Sequence, residues 1–252
     1  MAELTPAPRY EVLNVHSHRQ LKVLGHQGYD FARGLRSADL VVSEFEPAAS
    51  LYPLVFVRET DGLYRPVALL KRSGGGHGYA SADSHWAPPN VPMYVPMYVP
   101  MYVPMALRYH PFALAERDGS ADLSVCIDTS SDLLSREQGA PLFDRDGQAS
   151  AALAQVMAAL SALNQLRLQT DNLCRALAHF GLFTPIPGLA LDDRGHQVYK
   201  VDEADLCRLA DAELCVLRQH GWLRALYAHQ VSLANVDLPA AQLAHRSPEA
   251  FA

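Results

Sequence analysis

The last helical pattern of the sequence contains one imidazole whose position allows two different roles. A helix that begins at Trp222 places five residues in one stripe, at spacings of four, three, four and three: Trp222, Leu226, His229, Leu233 and Val236. A histidine in such a stripe is usually a core residue that hydrogen-bonds a backbone carbonyl or a hydroxyl, and we expect this role. As a site residue, a buried His229 would stay neutral near pH 7 and accept a proton or bind a ligand. Asn235 could then assist, although it faces a different side of the helix.

Other short patterns point only weakly to metal, phosphate or nucleophile chemistry. His16 and His18 would lie on the same face of a strand, but no third ligand is identifiable, so we expect solvated histidines at a strand edge. The glycine-rich residues 73–78 lack the features of a phosphate loop or a dinucleotide fingerprint and indicate a flexible loop. Residues 144–147 open like a calcium loop but lack its later acidic ligands, so a turn is expected. We therefore predict no metal and no cofactor.

Residues 91–105 repeat the tetrapeptide Val-Pro-Met-Tyr three times, with a truncated fourth copy. A proline at every fourth position excludes a helix interior and a central strand, so the backbone should be extended. Methionine thioethers suit Cu(I), yet no cysteine or histidine is interleaved with them, and a slippage expansion in a loop explains the repeat better. We expect residues 91–102 to be dispensable for folding.

Composition restricts the possible classes of protein. The chain has 252 residues, of which 49% are hydrophobic and 19% charged, as in an ordinary globular protein rather than a disordered or fibrous one. The net charge of −6, with no lysine or arginine run, argues against nucleic acid or an anionic membrane surface as a partner. Four widely spaced cysteines, no signal peptide and no transmembrane segment predict a cytoplasmic protein with reduced thiols.

The elements that must position these residues divide the chain into two unlike halves. Residues 52–59 and 63–70 predict a hairpin around Asp61-Gly62, and residues 112–117 and 122–128 predict a second one, so we expect one antiparallel sheet. Leucines at helical spacing predict a long helix from about residue 150 to a Gly181 cap. A short hairpin around residues 193–195 and helices over 203–220 and 222–236 follow. The predicted fold is α+β, with an antiparallel β-rich half (about 10–148) packed against a helical half (about 149–237) and a weakly ordered tail (238–252).

Six segments, taken together, resemble the SapC family, a bacterial family named for an S-layer-associated protein. In family order they are SEFEPAASLYPLVFV (43–57), RPVALL (65–70), YVPMALRYHPFALAE (102–116), VCID (125–128), GAPLFDRDG (139–147) and GWLRALYAHQVSLANV (221–236). An ordered set over most of the chain is far more specific than one short motif. The resemblance implies a single SapC-like domain over residues 1–252, but it implies no reaction. Where family members carry one Tyr-Val-Pro segment, this chain repeats it.

The resemblance favours a non-catalytic accessory or binding protein linked to the cell envelope or surface layer, with a protein or peptide partner. Envelope association would then use an export route without a signal peptide; a surface-layer subunit is a third, weaker option. The alternative is an enzyme, or the partner of one, that acts on a peptide or small aromatic substrate. An enzyme should bring polar residues of these segments into one cavity with shifted pKa values, whereas a binding module should expose an apolar patch. The candidate ligand-binding residues are Tyr52, Arg108, Asp128, His229 and Asn235.

Overall fold

A computed structural model describes residues 9–25, 28–32, 34–70, 102–116, 123–191 and 196–235. These residues form an α+β fold, as predicted, with antiparallel sheets mostly in the first half and helices mostly in the second. The strands are β1 Tyr10–Val12, β2 Lys22–Val23, β3 Ser37–Asp39, β4 Leu54–Arg58, β5 Tyr64–Leu69, β6 Phe112–Glu116, β7 Leu123–Asp128, β8 Leu134–Ser135, β9 Ala140–Pro141, β10 Phe183–Ala190 and β11 Gln197–Val201. The α-helices are α1 Val15–His18, α2 Phe45–Ala49, α3 Met105–Arg108, α4 Ala151–His179, α5 Glu203–Leu206, α6 Asp211–Gln219 and α7 Trp222–Ser232. Three 3₁₀ turns cover Asp30–Ala32, Val42–Glu44 and Leu233–Asn235.

Both predicted hairpins of the first half are present. β4 pairs with β5 through Asp61-Gly62, where Gly62 adopts a φ of 83°, and β6 pairs with β7, whose connecting residues lie outside the described ones. The expectation of one sheet is wrong. The described strands form three antiparallel sheets, in the orders β1-β7-β6, β10-β11-β4-β5-β3 and β8-β2-β9. The hairpins separate because β4 takes its second neighbour, β11, from the other half of the chain, whereas β7 pairs with β1.

The helical half contains the predicted long helix. Ser150 begins α4 by accepting a hydrogen bond from the Leu153 N–H (3.2 Å), and Gly181, with a φ of 68°, follows the end of the helix. The predicted hairpin between the helices is β10 and β11. The single helix expected over 203–220 is instead two, α5 and α6, because Glu213 accepts a hydrogen bond from the Ala210 N–H (2.9 Å) and starts a new helix there.

Hydrophobic clusters explain how α4 spans the fold. Its first half packs against the β1-β7-β6 sheet through Leu153 and Leu160, in a cluster with Phe112 and Ile127. Its last turns pack against the five-stranded sheet and α7 in the largest cluster, which includes Leu173 and Leu177 from α4 and also Phe45, Phe56 and Leu226. The middle of α4 therefore lies between two clusters, where the helix leaves one sheet and reaches the other.

Alternate residues of the β4-β5 hairpin belong to different clusters. Leu54 and Phe56 face the largest cluster, while Val55 and Val57 face a third one on the opposite side of the sheet. This alternation follows from the two-residue period of a strand, and it means that both faces of the hairpin are covered. The hairpin is thus the central element of its sheet, with β11 and β3 on either side.

The prediction of a strand around His16 and His18 is wrong. These residues form the short helix α1, which begins because the Asn14 side chain accepts a hydrogen bond from the Ser17 N–H (2.9 Å). Side chains two residues apart on a helix point in different directions. His18 is accordingly buried (3% exposed), whereas His16 is exposed. The expectation of two solvated histidines on one face is therefore wrong for His18.

Several expectations fall outside the described residues. They are the glycine-rich stretch at 73–78, the repeat up to residue 101 and the tail at 238–252. The expected turn at 144–147 is present: Asp144 accepts hydrogen bonds from the Asp146 and Gln148 N–H groups (2.9 and 2.8 Å). All four cysteines are free, and none of the described helices is long and apolar enough to cross a membrane.

Candidate functional site

A cavity of about 640 Å³ opens beside the middle of α4. Its walls come from β1, β6, β7, α3 and the 3₁₀ turn Asp30–Ala32, together with Leu160, Leu163 and Arg167 of α4. It therefore lies where α4 passes from one sheet to the other. Its volume is in the range of small-molecule sites in proteins, which are mostly apolar with a few placed polar groups.

Asp128 ends β7 and forms part of the cavity wall while being only 4% exposed. Its Oδ1 atom accepts hydrogen bonds from the Arg9 N–H (2.8 Å), the Ser130 N–H (3.0 Å) and the Ser130 hydroxyl (2.6 Å). Burial raises the pKa of Asp128, but these hydrogen bonds and the nearby His110 together lower it by more, so the net pKa is below its usual value. The carboxylate therefore stays ionised at neutral pH.

His110 supplies an aromatic surface in the same wall. Its ring stacks on Phe31, with centroids 3.9 Å apart and planes 9° apart, and its Nε2 atom lies 2.9 Å from the Ser131 hydroxyl. Both partners also line the cavity. The arrangement joins a flat aromatic surface to an imidazole and a hydroxyl, so it can hold a planar or apolar group beside hydrogen-bonding atoms.

Tyr10 of β1 lines the cavity near Asp128. Burial raises the pKa of Tyr10 above its usual value, and the charges of Asp128 and Cys126 raise it further. The phenol therefore remains protonated at neutral pH and can donate a hydrogen bond, whereas the carboxylate beside it can only accept one.

Of the residues singled out from the sequence, Asp128 is the one that lines this cavity within the described part of the chain. His229 is fully buried against Phe56 of the largest cluster. Its Nδ1 atom is 2.9 Å from the Leu54 carbonyl oxygen and its Nε2 atom accepts from the Val201 N–H (3.0 Å). This is the environment that the core-histidine interpretation expects. Asn235 ends the final 3₁₀ turn.

Tyr52 and Arg108 meet at the last copy of the repeat. The buried Tyr52 hydroxyl donates to the Tyr102 carbonyl oxygen, and the Arg108 guanidinium donates through Nε to the Val103 carbonyl oxygen (2.7 Å). The same guanidinium lies 4.8 Å from the centre of the Tyr102 ring. The two candidates therefore hold residues 102–103 in place.

Glu44 is a buried carboxylate (1% exposed) that sequence reasoning missed. Its Oε1 atom accepts from the Tyr102 hydroxyl (2.8 Å) and the Met105 N–H (2.7 Å), and its Oε2 atom accepts from the Val41 N–H (2.9 Å). Burial and the hydrogen bond to Glu44 raise the pKa of Tyr102 above its usual value. Tyr102 is thus a structural residue, and a deletion of residues 91–102 would remove its contacts.

Sequence reasoning also missed His110, Ser131 and Arg167. His110 lies in a segment that carries the family resemblance, which was its only signal. Ser131 gave none, because a serine in a turn is an ordinary surface residue. Arg167 follows Leu160 and Leu163 in the apolar stripe of α4, and that signal was not used.

The fold and the cavity define an α+β protein with an open, ligand-sized cavity between a small sheet and a long helix. The chain belongs to the SapC family, whose model matches residues 13–238. Comparisons with curated proteins and with solved structures found no match.

Proposed function

We propose that the protein is a SapC-type accessory or binding protein that holds a small organic ligand in the cavity beside α4, without catalysis. The observation that carries this proposal is the cavity itself, about 640 Å³ in volume, with an aromatic pair, leucines and a few polar groups in its walls. We expected an enzyme to bring polar residues of the family-like segments into one cavity with shifted pKa values. Asp128 and His110 both line this cavity, so their roles need a separate argument.

Asp128 supports binding rather than proton transfer. Three hydrogen bonds already occupy Oδ1, and the lowered pKa makes the carboxylate a weak base at neutral pH. Two of its donors are backbone N–H groups, so Asp128 fixes the turn after β7 and the start of β1. Its role in the proposed function is to shape the cavity wall and supply negative charge there.

The binding proposal can be tested by filling the cavity. Ala113 lines it from β6, and Ala113→Phe should occupy part of the space. Ala158→Phe is the matched control, since Ala158 is an exposed residue of α4 outside the cavity. In a thermal-shift screen with neutral, anionic, cationic and zwitterionic fragments, some fragments should stabilise the wild type and the control but not Ala113→Phe. If no fragment stabilises the wild type, or if Ala113→Phe responds equally, the proposal is wrong.

A second candidate, an enzyme or enzyme partner acting on a peptide or small aromatic substrate, is favoured by the hydrogen bond between His110 and Ser131. In such a reaction the Ser131 oxygen would attack the carbonyl carbon of an ester or amide while His110 Nε2 takes the hydroxyl proton. The proton would pass to the leaving alcohol or amine, and water would then release the acyl group and restore the serine.

A fluorophosphonate probe distinguishes this candidate from pure binding. Catalysis predicts that the full chain is labelled at Ser131, that Ser131→Ala abolishes the label and that His110→Gln weakens it strongly. Ser161→Ala is a control on α4 and should keep the label, since Ser161 is exposed and lies outside the cavity. A wild type that is labelled no faster than its heat-denatured form would reject the enzyme candidate.

The remaining parts of the proposal concern location and organisation. We place the protein in the cytoplasm, associated with the inner side of the bacterial envelope or exported by a signal-independent route. Fractionation of cells that produce the tagged chain should find it partly in the envelope fraction, and exclusive recovery in the cytosol would contradict the association.

We also propose one SapC-like domain, because the largest cluster joins Phe45 and Phe56 to Leu177 and Leu226. A single cooperative unfolding transition by two probes would support one domain, and two transitions would not.

A further inference from the structure

A small side cavity of about 70 Å³ adjoins the large one. The two share four lining residues: Asp39, Ala106, Leu163 and Arg167. Leu163 and Arg167 are one turn apart on α4, and Asp39 is the last residue of β3, so the junction lies where the middle of α4 passes the edge of the five-stranded sheet. The side cavity has room for a head group of a few heavy atoms, and the large cavity has room for an apolar body.

The two charges at this junction have no partners in the part of the chain that the structure describes. Arg167 is half-buried and Asp39 is exposed, and neither side chain makes a hydrogen bond or ion pair there. They also do not pair with each other. Of the other charged groups around the side cavity, Glu44 accepts three hydrogen bonds and Arg65 pairs with Asp61 at 4.0 Å. Asp171 lies one turn after Arg167 on α4 but forms no ion pair with it. A half-buried guanidinium that forms no ion pair with the described residues can accept the carboxylate of a ligand.

Neither a plain anion nor a plain cation would satisfy both charges at the junction. Asp30, Asp128 and Asp132 also line the large cavity, and Asp171 lines the side cavity, so a plain anion would meet several carboxylates. A plain cation would meet Arg167 at the junction. A ligand that carries both charges close together satisfies Arg167 and Asp39 at the same time.

We infer that the cavity binds a free amino acid with an apolar side chain, its carboxylate on Arg167 and its ammonium group on Asp39. The side chain then extends into the large cavity, against the stacked Phe31 and His110 rings. This inference rests on the proposed binding function and specifies the ligand class. It gives roles to a residue of β3 and a residue of α4 that the sequence did not distinguish.

The test starts with equilibrium dialysis of the full chain against an equimolar mixture of the twenty protein amino acids, quantified by mass spectrometry. One or more apolar amino acids should be enriched on the protein side. Calorimetry with the enriched amino acid should then show at least about tenfold weaker binding of its carboxamide and of its desamino acid, since each lacks one charge.

Variants of the junction give an independent readout. Arg167→Gln and Asp39→Asn should each weaken binding by about tenfold or more, with unfolding midpoints close to that of the wild type, because neither side chain has a partner among the described residues. Arg175→Gln, an exposed arginine two turns further along α4, is the matched control and should bind like the wild type.

The outcomes separate this inference from the function on which it rests. If fragments bind in the cavity but no amino acid is enriched, or if Arg167→Gln binds as tightly as the control, the amino-acid inference is wrong and the binding function stands. If neither fragments nor amino acids bind, both are wrong. Equal binding of the amino acid and its desamino analogue would remove Asp39 from the inference.

Discussion

Replacing His229 by glutamine should change the pH dependence of stability in a direction that the structure fixes. The Val201 N–H donates to Nε2, so Nε2 must be the unprotonated nitrogen, and Nδ1–H donates to the Leu54 carbonyl oxygen. The neutral ring thus joins β4, β11 and α7. A second proton would have to enter at Nε2, where it would replace the acceptor with a donor facing another donor. Burial accordingly lowers the pKa of His229 to about 4 from its ordinary 6.5, although the hydrogen bond to Leu54 opposes the shift.

The size of the effect follows from proton linkage. As the pH falls below 6.5 the unfolded chain binds a proton at this histidine, whereas the folded chain does not until the pH approaches 4. The free energy of unfolding therefore decreases as the pH falls. Between pH 8 and pH 5 this single group should lower it by about 2 kcal/mol. His229→Gln has no titratable group at this position, so its free energy of unfolding should not show this decrease.

The assay compares urea unfolding of the wild type and His229→Gln at several pH values. At pH 8 the variant should be about 1 to 3 kcal/mol less stable, since an amide fits the two backbone partners less well than the ring does. At pH 5 the difference should be smaller by about 2 kcal/mol. His16→Gln is the control, because His16 is exposed.

Two results would refute this reasoning. A stability difference that stays constant from pH 8 to pH 5 would show that His229 does not titrate as the geometry requires. A variant of normal stability that no longer binds ligand would reject the core role and make His229 a site residue. Ligand binding retained at a temperature where the variant is folded is the expected result.

Three further predictions concern the tetrapeptide repeat, the hydrogen bond between Tyr102 and Glu44, and the thiols. Deleting residues 94–101, which removes two tetrapeptides and keeps Tyr102, should leave the thermal midpoint within about 5 °C, and loss of a cooperative transition would show that those copies pack in the core. Tyr102→Phe should lower the free energy of urea unfolding by about 1 to 2 kcal/mol, because Glu44 loses a donor; unchanged stability would refute that role. Thiol titration of the denatured chain, purified without oxidation, should find four free thiols, and two protected ones would overturn the cytoplasmic assignment. In the native chain the exposed Cys207 should react first and Cys174 last, since burial raises the pKa of Cys174 to about 12.

Local patterns predicted the elements well and their assembly poorly. The Asp61-Gly62 hairpin and α4 follow from turn chemistry and periodicity, which act over a few residues. The division into three sheets depends on β11 reaching β4 from about 140 residues away, and no local pattern encodes that pairing. His16 and His18 were placed in a strand because the capping effect of Asn14 went unrecognised.

The candidate site was also only partly predictable from local sequence patterns. His229 was found because a polar residue inside an apolar stripe is visible in the sequence. Arg167 also lies in an apolar stripe, four residues after Leu163 and seven after Leu160, and that signal was not used. Whether such a position faces water or a cavity depends on what packs across from it, here β3 and α3. That information exists only once the elements are assembled.

The polar groups discussed above thus divide into two kinds, whose removal has different consequences for the fold. Glu44 and His229 have their hydrogen-bonding atoms taken by backbone groups and Tyr102, and they join segments that are distant in sequence. Arg167 and Asp39 have no partner among the described residues and lie where two cavities meet. Removing a saturated group leaves buried donors or acceptors without partners and destabilises the fold. Removing an unsaturated one leaves the fold intact and takes away a contact that only a ligand can complete, so loss of binding without loss of stability is the result that identifies a site.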